Sequence, residues 1–160
     1  MQARGMSSQT DSVTTPQIEF RRSAKALITV SGRVLLIREQ HADGSTFWTL
    51  PGGGLDVGES YSEALSRELA EELRCLATIT DPLTELWYAH TSDQHRLSLC
   101  RMFRCELRSS VTPNPKEGVF ECRWVCPDDL PPKTLLPIQY VIERGIGDGE
   151  RQSVGSYGLL

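Results

Sequence analysis

The segment Gly52 to Glu72, "GGGLDVGESYSEALSRELAEE", constrains this chain more than any other. From Glu59 onward it holds five carboxylates and one arginine within fourteen residues, directly after three consecutive glycines. Ser60 followed by Glu63 has the spacing of a capping box, so a helix is expected to begin just after Ser60. Placed on a wheel of about 100° per residue with Ala64 at zero, Leu65, Leu69 and Leu73 fall near 100°, 140° and 180°, whereas Glu71, Glu68 and Glu72 fall near 340°, 40° and 80°. One stripe suits a core, and the adjoining stripe is a carboxylate cluster. Like charges at these spacings cost about 0.2 to 0.5 kcal/mol per pair, and Glu72 lies only about 20° from Leu65, at the edge of the buried stripe. Such a cluster asks for a cation, and hard oxygen ligands select Mg²⁺ or Mn²⁺. Arg67 can orient one of these carboxylates, leaving the rest without internal counter-charge. The glycines permit backbone conformations and close approaches that a Cβ would forbid, including a carbonyl turned toward a metal.

The rest of the chain supplies the scaffold. "AKALITV" and "RVLLIRE" are apolar, β-branched runs separated by Ser31 and Gly32, which predicts a hairpin. "FWTL", "TELWYAH", "RLSLCRMFRCEL" and "VFECRWV" are further strand candidates, and "LLPIQYVIERG" reads as a late helix. Several strands with one central and one late helix suggest a layered domain of mixed α and β structure. The expected boundaries are a flexible arm over residues 1–22, one domain over 23–146 and a flexible tail over 147–160.

At 160 residues one domain can bury its core without disulfides. The five cysteines are odd in number and contain no CxxC pair; strand alternation sends Cys100 and Cys105 to opposite faces, so they read as reduced core thiols rather than a zinc site. A net charge of -4 argues against nucleic acid or an anionic membrane as partner, and an anionic substrate would need local help from arginine or metal. No apolar run approaches the ~20 residues of a membrane span, and the polar N-terminus lacks a signal-peptide centre, which makes the cytoplasm the expected location.

Read from Gly53 as G, five residues, Glu59, seven residues, then Arg67-Glu68-Leu69-Ala70-Glu71-Glu72, the helix segment closely resembles the Nudix box, G-x5-E-x7-R-E-U-x-E-E-x-G-U with U apolar. "FWTLPGG" before it and "ECRWV" followed by "DDL" after it extend the resemblance over roughly Ala24 to Gly145. One position departs: Arg74 stands where the family has glycine, so the helix either stops at a residue other than glycine or runs on.

The resemblance implies a Nudix fold, a mixed β-sheet sandwiched between helices (α/β/α), and metal-dependent cleavage of the pyrophosphate linkage of a nucleoside diphosphate joined to another group. Nucleoside triphosphates and ADP-ribose-like nucleotide sugars both remain open as substrates. It implies Glu68, Glu71 and Glu72 as ligands of Mg²⁺ or Mn²⁺, the Gly53 carbonyl as an additional ligand, Glu59 as a brace of the metal shell, and Arg67 as the residue orienting a glutamate. The general base is a box glutamate or one from a later loop or strand, where Glu117 and Glu121 stand. Arg38 is the first candidate for a phosphate contact, and Phe47, Trp48, Tyr88 and Phe103 are the aromatic candidates for a base. The implied partner is a small nucleotide, with neither nucleic acid nor membrane, and a homodimer is an open oligomeric state. A Nudix-like nucleotide-binding or regulatory domain without turnover, and an acidic-helix interaction module, are the alternatives. The intact carboxylate set disfavours the first, and the leucine stripe and glycines disfavour the second.

Overall fold

The computed structural model describes residues 15, 17–89 and 95–145. Most of the expected N-terminal arm, the C-terminal tail and residues 90–94 lie outside them. The described residues form seven strands: β1 (Glu19–Val30), β2 (Arg33–Gln40), β3 (Thr46–Thr49), β4 (Gly52–Gly54), β5 (Ala77–Ala89), β6 (Arg96–Leu107) and β7 (Glu121–Val125). Helix α1 spans Tyr61–Leu73 and α2 spans Leu136–Gly145.

β1 organises the sheet. It runs parallel to β6 along most of its length, antiparallel to β4 over Ser23 to Lys25, and meets β2 at its tip. The other pairings, β2 with β3 and β7 and β5 with β6, are antiparallel, so the sheet is mixed. The β1–β2 turn is tight because Ser31 and Gly32 both take positive φ, 52° and 74°, as the predicted two-residue hairpin requires.

Alternation along the strands divides the core in two. Ala24, Ala26, Ile28, Leu35 and Ile37 pack under Leu65, Leu69 and Leu73 of α1. Leu27, Val34 and Leu36, from the other face, pack under Ile138, Val141 and Ile142 of α2. Two helices thus cover the two faces of a mixed sheet, as expected. Cys100 belongs to the α2-side core and Cys105 to the α1-side core, again as expected; Cys126, however, is exposed.

Three elements differ from the sequence reading. β1 starts at Glu19, inside the segment assigned to the arm. The three glycines form a short strand, a segment that was not among the strand candidates. β5 begins at Ala77 and passes through Pro82, which its position at the sheet edge and the register shifts on either side of it allow. No helix among the described residues is long and apolar enough to cross a membrane.

Candidate active site

The capping box of α1 forms in full: Ser60 Oγ accepts from Glu63 N–H at 3.1 Å, and the Glu63 carboxylate returns to Ser60 N–H. The helix therefore starts where the carboxylates need it to start. It ends at Arg74 with φ 49° and ψ 38°, the left-handed stop that the family glycine would make. Between these ends Glu72 is 4% exposed and shares the buried face with the leucines.

β4 lies close against both β1 and α1: Gly52 is too near the β1 backbone for any side chain, and Gly53 touches the movable end of the Glu68 side chain. A Cβ at Gly52 would sit 2.0 Å from the Ala24 carbonyl oxygen, and one at Gly53 would sit 2.6 Å from the Glu68 carboxyl carbon. Glu72 Oε1 accepts the Gly52 N–H at 2.7 Å. Ala26 N–H bonds Pro51 O at 2.9 Å and Leu55 N–H bonds Arg22 O at 3.0 Å, so antiparallel alternation turns the Gly53 carbonyl toward Ala24 in β1. The expected Gly53 ligand is corrected on this ground. It is the Gly52 carbonyl that shares a strand edge with the Gly52 N–H and hence with Glu72.

Arg67 binds more carboxylates than the one foreseen. Its Nε lies 3.0 Å from Glu59, and its Nη1 lies 3.1 Å from Glu68 and 3.2 Å from Glu71, while Nη2 donates to the Gly54 carbonyl at 3.0 Å. Glu59 thus braces the loop through Arg67 and through the Asp56 N–H. As the side chains stand, no group of three acidic, histidine or cysteine residues among the described residues forms a ready-made ion cage. Glu68 and Glu71 are drawn to Arg67, and Glu72 to Gly52.

Burial raises the Glu68 and Glu72 carboxyls above their ordinary range, opposed by Arg67 at Glu68 and by Lys25 at Glu72. Lys25 donates to the Gly52 carbonyl at 3.1 Å. Burial works to lower its pKa, but the surrounding groups, Glu39 and Glu72 foremost, together raise it. The carboxylate cluster therefore has internal counter-charge from β1 as well as from Arg67, contrary to the expectation.

Beside the cluster lies a cavity of about 360 Å³ lined by Glu68 and Glu72, the three glycines, Arg21, Arg22, Ser23, Lys25, Glu39, Gln40, Tyr88, Ser98, Glu117 and Gly118. Of the predicted substrate residues only Tyr88 reaches it, and of the two later glutamates only Glu117. Glu117 comes from a short 3-10 turn, Pro115–Glu117. Asn114, just before it, ties the turn to α1: its N–H bonds Glu72 O at 2.9 Å, its side-chain amide bonds Glu71 O at 2.8 Å, and its Oδ1 accepts from Arg74.

The other candidates lie elsewhere. Glu121 pairs with Arg123 at 2.7 Å and with Arg38 at 3.2 Å, contacts that hold its carboxyl below the usual range. The same pair occupies Arg38. Trp48 is buried in the α2-side core beneath the Arg123 guanidinium, Phe47 stacks on His41, and Phe103 packs near Tyr61. Glu121, Arg38, Trp48, Phe47 and Phe103 do not line this cavity. Arg21, Arg22, Ser23, Lys25 and Glu39 were missed: they converge through strand pairing distant in sequence, and the only available signal was alternation of polar residues in "RRSAKA".

A family model described as NUDIX domain matches residues 19–144. The chain is 31% identical over 123 residues to a MutT-like protein of Streptomyces ambofaciens, covering 77% of this chain and 74% of that one. It is 24% identical over 116 residues to an RNA pyrophosphohydrolase of Erythrobacter litoralis, covering 62% and 70%. Its fold superposes on a MutT NUDIX hydrolase from Burkholderia pseudomallei with TM-score 0.70 at 23% identity, covering 79% of this chain and 98% of that one. With its box helix, glycine strand and two-faced mixed sheet, the protein belongs to the NUDIX family.

Proposed function

We propose that this Nudix pyrophosphohydrolase cleaves a small nucleoside diphosphate derivative, a nucleoside triphosphate or an ADP-ribose-like nucleotide sugar, with Mg²⁺ or Mn²⁺ bound at the α1 carboxylates. The observation that carries the reading is the meeting of Glu72 and the Gly52 carbonyl on one strand edge, next to Glu68 and a cavity with cationic walls. The donors fit a hard divalent ion: they are oxygens only, from Glu68, Glu71, Glu72 and Gly52, on a backbone cradle that a Cβ would fill. Such an ion, when bound, neutralises phosphate oxygens and lowers the pKa of water.

The chain's own residues supply the remainder. Arg21, Arg22 and Lys25 place positive charge along the cavity for the phosphates, and Tyr88 offers a ring to the base. Glu117 at the cavity wall is the candidate to take a proton from the attacking water, with Glu68 the alternative where it does not hold the ion. Arg67 fixes the Glu68 rotamer.

The test is a substrate panel of nucleoside triphosphates, nucleotide sugars and 5′-triphosphorylated RNA, the last included because one relative is an RNA pyrophosphohydrolase. Phosphate and pyrophosphate release is measured with Mg²⁺, with Mn²⁺ and with EDTA. Turnover of a small nucleotide that stops in EDTA and returns with Mg²⁺ is the expected result; full activity after exhaustive dialysis against EDTA would refute it.

A further inference from the structure

Lys25 is out of place on a strand whose flanking residues, Ala24 and Ala26, are fully buried in the α1-side core. Alternation sends its side chain to the opposite face, and its register with Gly52 across the β1–β4 pair brings the ammonium back over the strand edge onto the Gly52 carbonyl, at 3.1 Å. The N–H of the same glycine is bonded to Glu72. One residue of β4 therefore presents its carbonyl to a lysine and its amide to a buried carboxylate, and the electrostatic partners of that lysine are Glu39 and Glu72.

We propose that Lys25 is a tethered counter-cation: in the metal-free protein its ammonium holds the Gly52 carbonyl and balances Glu72, and it competes with a divalent ion for that oxygen. The inference rests on the metal reading given above and adds a residue outside the box helix to it. A buried carboxylate left without a partner is costly, so a cation beside Glu72 favours its charged form in the empty fold. A lysine suits the task because it is a single flexible point charge that can leave the carbonyl for the cavity, whereas the planar fork of an arginine would be harder to turn aside. The cavity already carries Arg21 and Arg22, so a displaced Lys25 joins groups facing the substrate phosphates.

The competition is read directly by Mn²⁺ binding, followed by the electron paramagnetic resonance of the free ion, in the parent, K25M and K25R without nucleotide. K25M is expected to bind Mn²⁺ at least fivefold more tightly than the parent and to melt at a lower temperature when metal-free. Its melting temperature should rise more on Mn²⁺ saturation than that of the parent. K25R, which keeps the charge on a group harder to turn aside, should bind Mn²⁺ no more tightly than the parent. K25Q provides a second neutral variant should methionine disturb the fold, and it too should bind more tightly. Unchanged or weaker Mn²⁺ binding in a folded K25M or K25Q overturns the role of Lys25 while leaving the metal site standing. Absence of Mn²⁺ binding in the parent overturns the metal reading and the lysine's role together.

Discussion

Glu72 is a carboxylate on the leucine face of its helix, 4% exposed and bonded to a backbone amide. A purely structural role would let a glutamine do the same work, since its amide oxygen can accept the Gly52 N–H in the same geometry. A ligand role would not, because an amide brings no negative charge to a divalent ion. E72Q should therefore leave the metal-free melting temperature equal or higher, because burying the carboxylate costs more than its attraction to Lys25 returns, while kcat/KM falls by orders of magnitude. Activity within about threefold of the parent, under 1 kcal/mol of barrier, would show that Glu72 is not a ligand. The importance of Glu72 was legible from sequence because it follows from helical periodicity over neighbouring positions. Lys25 was not, since nothing local says that it will register with Gly52. The aromatic residues were illegible for another reason: ring chemistry identifies neither Trp48 as core nor Tyr88 as cavity wall.

At the scale of elements, α1 ends on a residue that dislikes its own conformation. Relief of the left-handed strain in R74G is worth up to about 1 kcal/mol, and loss of the hydrogen bond to Asn114 costs about 0.5 to 1.5 kcal/mol. The two nearly cancel, so R74G should change stability by less than about 1 kcal/mol by denaturant titration. N114A should behave differently. Its side-chain amide satisfies the Glu71 carbonyl at the helix end, and the residue anchors the turn carrying Glu117. A loss of about 1 to 3 kcal/mol is expected, accompanied by a fall in kcat larger than any rise in KM. Equal kcat in a folded N114A would show that the loop needs no such anchor. The helix and its stop were readable because caps are local; the loop's attachment to it spans forty residues and was not.

For the molecule as a whole, the proposed metal reading ties ion binding to folding, because the oxygens it uses come together only when α1, β4 and β1 are all in place. An ion at one hundred times its Kd that binds only the native state stabilises it by about 2.7 kcal/mol. In a chain of this size that corresponds to roughly 5 to 11 °C in melting temperature. The parent should show such a shift with saturating Mg²⁺ by scanning calorimetry, and E72Q should show much less. An equal shift in both would place the ion elsewhere.

β1 touches β6, β4 and β2, yet it is the first of these strands to leave the ribosome. Phe20 finds its parallel partner Leu97 only after the hairpin, the helix and β5 have been synthesised. Parallel pairings between such distant residues are slow to form, because the closure entropy of the intervening chain comes before the contacts that reward it. During synthesis the N-terminal half of β1 must wait with unpaired amides, and the β1–β2 hairpin is the piece able to form early. The glycine edge and its lysine then come into register late, so a nascent chain could be compact around its hairpin well before it is able to hold a cation.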